Sequence, residues 1–483
     1  MPPPPSVSAR PASGPAVATR VAREVRRRAF PGEGVLRFQR DPLAFLCWLN
    51  DAGAEADAGL VRVRLGGTEA VLLRDPDLVG EVMLAKPGAW PKGPQIQFVA
   101  RVFGNGLLTS EPPHHTQARK LVLPAFAHGR LAGYADTIVR LGEQHAEAWA
   151  KAGTIDLVDA ATHLTYDIAV ETLFGDGGLA RGDEVRPALA EALRAFTVIA
   201  RNPVLVALSE HLPIPAARRL DRVRETLAEI IGEAVRQRRA SAGLGDDLLG
   251  MLLVAQDEDT GLGLTDREVI DEAITILLAG HETTASALSW TWLLMAQRPE
   301  AEAAVVAEAD AAPGLGMDAL RALGDTRNVL AESMRLYPPA YLLDRTAGTA
   351  SWIGGLPIGR GTTVLVSPML LHRDPRFWDD PDRFDASRPG LQPRGGTHRL
   401  AYLPFSVGTR GCIGERFAWM EGTLLLATIA RRLTLRPLGA WPAPLTSLTL
   451  RPDGAVPVSV HRRDMNQRTQ RTNGQSRAAS VAV

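Results

Sequence analysis

Phe405–Arg416 reads FSVGTRGCIGER, and how its cysteine is understood decides the fold. Cys412 is one of two cysteines in 483 residues; Gly408, Gly411 and Gly414 surround it, and the apolar, helically spaced FAWMEGTLLLATIARRL follows. At a helix N-terminus a sulfur meets unpaired N–H groups and the positive end of the helix dipole, which stabilise a thiolate, while glycines let the backbone curl close. Three readings are open: a small buried hydrophobe, a nucleophile, or a metal ligand. The segment supplies no basic histidine of the kind a thiol nucleophile needs.

The rest of the chain bounds the choice. Hydrophobic residues make up 45% and charged residues 22%, with formal net charge zero, which is the composition of a soluble globular protein and gives no sign of nucleic-acid binding. Lysine occurs only at 86, 92, 120 and 151, so the basic residues are nearly all arginine, a bias read here as bacterial. Cys47 and Cys412 are too few for a disulfide framework and fit a reducing, cytoplasmic compartment. No stretch approaches the ~20 apolar residues of a membrane-spanning helix.

Residues 1–30, rich in proline and then arginine, read as a disordered arm, 31–460 as a single domain, and 461–483 as a polar, disordered tail. LVRVRLGGTEAVLLRDPD (60–77) alternates around Gly66-Gly67 as a β-hairpin does, and TTVLVSP (362–368) is a further strand of the same sheet. YADTIVRLGEQHAEAWAKA, VRPALAEALRAFTVIA, LDRVRETLAEIIGEAVRQRRA and AEAAVVAEADAA carry helical spacing. The expected fold class is mainly α with a small β-sheet. The longest helix should run from about Thr265 to Gln297, opened by the capping box Thr265-Asp266-Arg267-Glu268. In its apolar middle stand Gly280-His281-Glu282-Thr283-Thr284, polar groups that cost on the order of 2 kcal/mol apiece if buried without partners. Zinc does not explain them, because Ala285 stands where H-E-x-x-H needs its second histidine. The G-x-G-x-x-A matches at 175–180 and 314–319 follow helical segments, where a dinucleotide loop requires a strand.

Phe405-Ser406-Val407-Gly408-Thr409-Arg410-Gly411-Cys412-Ile413-Gly414 resembles the haem signature F-x-x-G-x-R-x-C-x-G of the cytochromes P450. Three further stretches agree in order: Ala279–Thr284 resembles the family's oxygen-activating helix segment, Glu332-Ser333-Met334-Arg335 its E-x-x-R, and Pro381-Asp382-Arg383-Phe384 its P-x-R-F. The resemblance covers roughly Pro31 to Val460 and implies a triangular helical prism around a buried haem b (iron protoporphyrin IX).

By that resemblance Cys412 is the axial iron ligand, with Phe405 packed beside the sulfur; axial thiolate favours O–O cleavage. His115 and Arg119, at i,i+4 in H-x-x-x-R, with Arg345 and Arg410, would clasp the haem propionates, guanidinium being well shaped for carboxylate. Gly280 would belong to the cofactor site, and Glu282 and Thr283 would line its distal side and relay protons. Glu332, Arg335 and Arg383 would form a buried cluster bracing the cysteine loop. The implied activity is a monooxygenase using O2 on a lipophilic small molecule, by hydroxylation or epoxidation, in specialised metabolism. Electrons would come from a separate ferredoxin or flavodoxin with its NAD(P)H reductase, docking on the cysteine side near Arg416. A monomer is expected. The pocket would be bordered by 90–108, 196–212 and 340–343. A fatty-acid hydroxylase, an isomerase or lyase on the same fold, and a haem sensor or carrier are the alternatives.

Overall fold

The computed structural model describes residues 22–27, 32–175, 179, 181–200, 202, 214–241, 243–388, 391 and 398–463. Residues 1–21, 464–483, all of 203–212 and most of the 175–180 glycine motif lie outside them.

The main sheet has five strands: β1 (Glu24–Arg26), β2 (Leu60–Leu65), β3 (Thr68–Leu73), β4 (Leu343–Thr346) and β5 (Thr363–Val366). Their spatial order is β1-β2-β3-β5-β4. The expected hairpin is present, with Leu60 opposite Leu73 and Leu65 opposite Thr68, and β5 joins β3 in parallel. Strand β1 corrects the expected arm. Arg62 is buried and paired with Glu24 at 2.6 Å and Glu69 at 2.6 Å, and that ion pairing, with Val25 on the core, holds Glu24–Arg26 parallel to Leu60–Arg62. At the other end a strand over Pro457–Arg462 runs two residues past the expected boundary at 460 and pairs with Leu433–Pro437. A small hairpin of β6 (Pro444–Thr446) and β7 (Leu450–Pro452) completes the parts of interest.

The helices that position the site are α1 (Pro94–Phe103), α2 (His114–Val122), α3 (His128–Ala152), α4 (Leu157–Phe174), α5 (Gly182–Ala200), α6 (Pro215–Ala240), α7 (Asp266–Ala296), α8 (Gly324–Leu336) and α9 (Glu415–Arg432). All four periodic stretches fall on helices. Helix α7 spans about 46 Å at ~1.5 Å per residue and starts in the expected capping box, with Thr265 and Glu268 each accepting from the other's backbone N–H. It packs most heavily against α4 and also against α6, α8 and α9, so nearly every residue from 271 to 295 is buried. Arrayed around it, one contiguous core draws side chains from α1 to α9, and the mainly helical fold with a small sheet follows.

Candidate active site

Backbone geometry makes the cysteine loop possible. Gly408 has φ +73, and a Cβ there would lie 2.3 Å from the Met83 carbonyl oxygen, so only glycine fits. The turn closes where Cys412 N donates to Phe405 O at 2.9 Å and Gly411 N to Gly408 O at 3.0 Å, after which α9 begins at Glu415. Protein crowds Cys412 on all sides, and burial pushes its thiol up to about 11, opposed by an N–H from Gly414. Yet the residue keeps accessible surface. A thiol desolvated by its surroundings yet still accessible is what a cysteine facing an internal ligand site would show. Phe405 packs edge-on against Trp419, ring centroids 5.3 Å apart.

Helix α7 also keeps an open face. Between 271 and 295 only Ile276, Ala279, Gly280 and Thr283 keep accessible surface. Their spacing of three, four and seven is one helical face. A Cβ on Gly280 would meet nothing within 4 Å, so that face is flat and open. Thr283 Oγ1 donates to Ala279 O at 2.7 Å, Thr284 Oγ1 to Gly280 O at 3.0 Å, and Thr165 Oγ1 to His281 O at 2.9 Å. These hydroxyls place polar partners around the segment while the helix continues unbroken. Glu282 differs from expectation. It is buried and off the open face, with Oε1 accepting from Thr449 Oγ1 at 3.1 Å. Thr283 and Glu282 therefore do not line that face together. His281 is buried and held neutral by burial, its Nδ1 2.7 Å from Leu277 O.

Around the cysteine loop the structure gathers cations. Arg119 donates to Gly411 O at 2.9 Å, and Arg410 to Ser110 O at 2.6 Å and to the Glu111 carboxylate. Arg345 is buried, donating to Asp344 O at 2.7 Å. Sequence reasoning missed a fourth cation: Lys92, buried, bonded through Nζ to the Leu107 and Leu108 carbonyls. Burial, then Arg410 and Arg345, depress its pKa to about 7. The signal was its rarity, being one of four lysines. Amid them His115 is held down to about 3 by burial and by Arg410, Lys92 and Arg119, and among the described residues its ring has no hydrogen-bond partner.

Haem fits this donor set. Lys92, Arg119, Arg345 and Arg410 gather around Glu111 and Asp344, with the buried Glu272 also facing Lys92, so basic groups outnumber acidic ones where two propionates would sit. The unpartnered imidazole adds a neutral donor, and the flat α7 face and the accessible thiol leave a planar ligand room.

The structural cluster is present with one exchange. Glu332 and Arg335, both fully buried, form a two-point pair at 2.7 and 2.8 Å. Arg335 also donates to the carbonyls of His372, Pro381 and Arg383. The third side chain is Arg388, not Arg383. Arg388 Nε reaches Glu332 Oε1 at 3.1 Å and its other nitrogens bind the Asp379, Asp380 and Arg383 carbonyls, whereas Arg383 contributes only its carbonyl and is itself exposed. The turn wraps its backbone around Arg388 and leaves the Arg383 side chain outside. His372, also missed, links the cluster to the loop: its Nε2 accepts from Leu403 N at 2.7 Å, and burial keeps it neutral, its pKa about 3.

The chain belongs to the cytochrome P450 family: the family description Cytochrome P450 matches residues 57–455. It is a P450 monooxygenase, and haem-thiolate is the family's cofactor. Among its relatives are cyclooctatin synthase of Streptomyces melanosporofaciens, 36% identical over 87% of this chain and 92% of that protein, and pentalenene oxygenase of Streptomyces avermitilis, 30% identical over 91% and 95%. Cyclooctat-9-en-7-ol 5-monooxygenase of S. melanosporofaciens is 36% identical over 83% and 86%. The cytochrome P450DA heme domain superposes with TM-score 0.79 at 26% identity, covering 92% of this chain and 99% of that one. No described helix is long and apolar enough to cross a membrane.

Proposed function

We propose that this P450 oxygenates an apolar, sparsely oxygenated cyclic molecule such as a terpene, in specialised metabolism. The observation that carries this is the composition of the open α7 face: Ile276, Ala279 and Gly280, with Thr283 as its single polar side chain. Phe98 on α1 and Phe196 on α5, buried with ring centroids 6.5 Å apart, make the segments expected to border the pocket apolar. Such walls select by shape and by burial of apolar area. The relatives named for cyclooctat-9-en-7-ol and pentalenene are named for olefinic compounds bearing one hydroxyl or none, which supports the same class.

Bound haem supplies a redox-active iron, and thiolate ligation favours cleavage of the O–O bond. Cys412 would hold that iron; the Gly414 N–H and the α9 terminus oppose the burial that raises its thiol. His115, Arg119, Arg345 and Arg410, with Lys92, hold the propionates. Thr283 presents a hydroxyl on the open α7 face; releasing Ala279 O, it can orient water there and pass a proton, with Glu282 as the acid behind it. Electrons arrive from a separate ferredoxin or flavodoxin and its reductase at the cysteine side, where Arg416 is exposed. A monomer that works in the cytoplasm completes the reading. The test is a titration of the haem-loaded protein with cyclic terpenes and terpene alcohols, following the shift from low-spin to high-spin iron, then mass analysis of products. A ligand that shifts the spin state and gains one oxygen atom is expected; a response confined to straight-chain fatty acids would overturn the substrate class.

A further inference from the structure

Glu282 is a buried carboxylate whose one hydrogen-bond partner among the described residues is the Thr449 hydroxyl, 3.1 Å away. Thr449 stands on the turn between β6 and β7, and the turn is pinned to α7 itself. Ser286 Oγ and Trp290 Nε1 both donate to Leu450 O, at 2.6 and 2.9 Å. Residues 282, 286 and 290 lie on one face of α7 at i, i+4, i+8, so the carboxylate and the anchors of its partner share a rigid edge. The turn is also tied to α5. Ser447 N donates to Thr449 O at 3.1 Å, and Ser447 Oγ lies 2.7 Å from Thr197 Oγ1 on α5, the residue after Phe196. A continuous chain of contacts therefore runs from α5 through Ser447 and Thr449 to Glu282.

We propose that Thr449 is a positioning residue for oxygen activation: it fixes the orientation of the Glu282 carboxylate and, through Ser447 and Thr197, makes that orientation follow the position of α5. The proposal rests on Glu282 acting as the acid behind Thr283. A buried carboxylate with one hydroxyl partner is weakly satisfied, and removing that partner leaves it to reorient. Filling of the pocket against Phe196 would move α5, the turn and the carboxylate together, so the carboxylate position, already set by Thr449 in the empty protein, would shift further on occupancy.

The test uses the full haem-loaded chain with a surrogate ferredoxin and reductase, and dioxygen as the only probe, reading how electrons divide between hydrogen peroxide and water. Thr449→Val should raise the peroxide share at least threefold, Thr449→Ser should return it to within twofold of the parent, and Thr449→Val should add nothing to Glu282→Gln. Crystal structures give a readout independent of turnover: the Glu282 carboxylate should be displaced in Thr449→Val and in Ser447→Ala, and unmoved in Thr449→Ser. An unmoved carboxylate and parental peroxide share in Thr449→Val, alongside a changed share in Glu282→Gln, overturns the role of Thr449 while leaving Glu282 as the acid. A parental share in Glu282→Gln overturns the reading of Glu282 itself, and a Thr449→Val effect that persists in Glu282→Gln overturns positioning as its cause. An unmoved carboxylate in Ser447→Ala overturns the link to α5.

Discussion

Arg383 and Arg388 flank one turn, yet only Arg388 meets Glu332, and the difference is measurable. Arg388→Ala leaves the fully buried Glu332 with Arg335 as its one remaining cation and removes a charge-assisted hydrogen bond, at a cost of about 2 kcal/mol, and should lower the thermal midpoint and haem retention. Arg383→Ala removes an exposed side chain and should change stability by no more than about 0.5 kcal/mol; equal losses in the two variants would refute the exchange. From the sequence, P-D-R-F looked like the arginine of the cluster because spacing reports which residues are near, whereas which guanidinium enters is decided by how the turn folds. Glu282 shows the same limit. Its place beside Thr283 was legible, but at 100° per residue neighbours on a helix face different partners, and Thr449 lies 167 residues away.

At the scale of elements, α7 and α9 are joined by a buried pair that periodicity could not reveal. Thr284 Oγ1 donates to Glu421 Oε2 at 2.9 Å, and burial raises Glu421 to about 8. A carboxyl raised on folding contributes stability that is full below its unfolded value of about 4.3 and is lost as pH rises to about 8. Between pH 5 and 8 the thermal midpoint of the parent should therefore fall further than that of Glu421→Gln; parallel curves would show that Glu421 does not titrate in this range. Other element-level features were plain in the sequence because their causes are local. The Thr265–Glu268 capping box fixes the start of α7, and Gly66-Gly67 closes β2 on β3. Strand β1 was hidden because VAREVRR reads as a charged arm until Arg62 is seen to need Glu24.

For the whole molecule, function depends on charge brought together from distant segments. Lys92, Arg119, Arg345 and Arg410 come from four parts of the chain, and no single motif contains their surplus. Haem should relieve that repulsion, so loading should raise the thermal midpoint, and Arg410→Ala should weaken haem retention by several-fold without changing which atom ligates iron. A midpoint indifferent to haem would argue against the cationic cradle. Fold and cofactor were legible because the cysteine loop and the long helix carry their constraints in short, local patterns. Substrate was not, since apolar side chains such as Phe98 and Phe196 specify a shape only once packed, and spacing does not report that packing.

The axial role of Cys412 is tested most directly by the absorption spectrum of the reduced, carbon-monoxide-bound protein. A strongly red-shifted Soret band is expected in the parent and in Cys47→Ser and should vanish in Cys412→Ser. A band that survives Cys412→Ser, or a pure folded parent that stays colourless after haem is supplied, would contradict it.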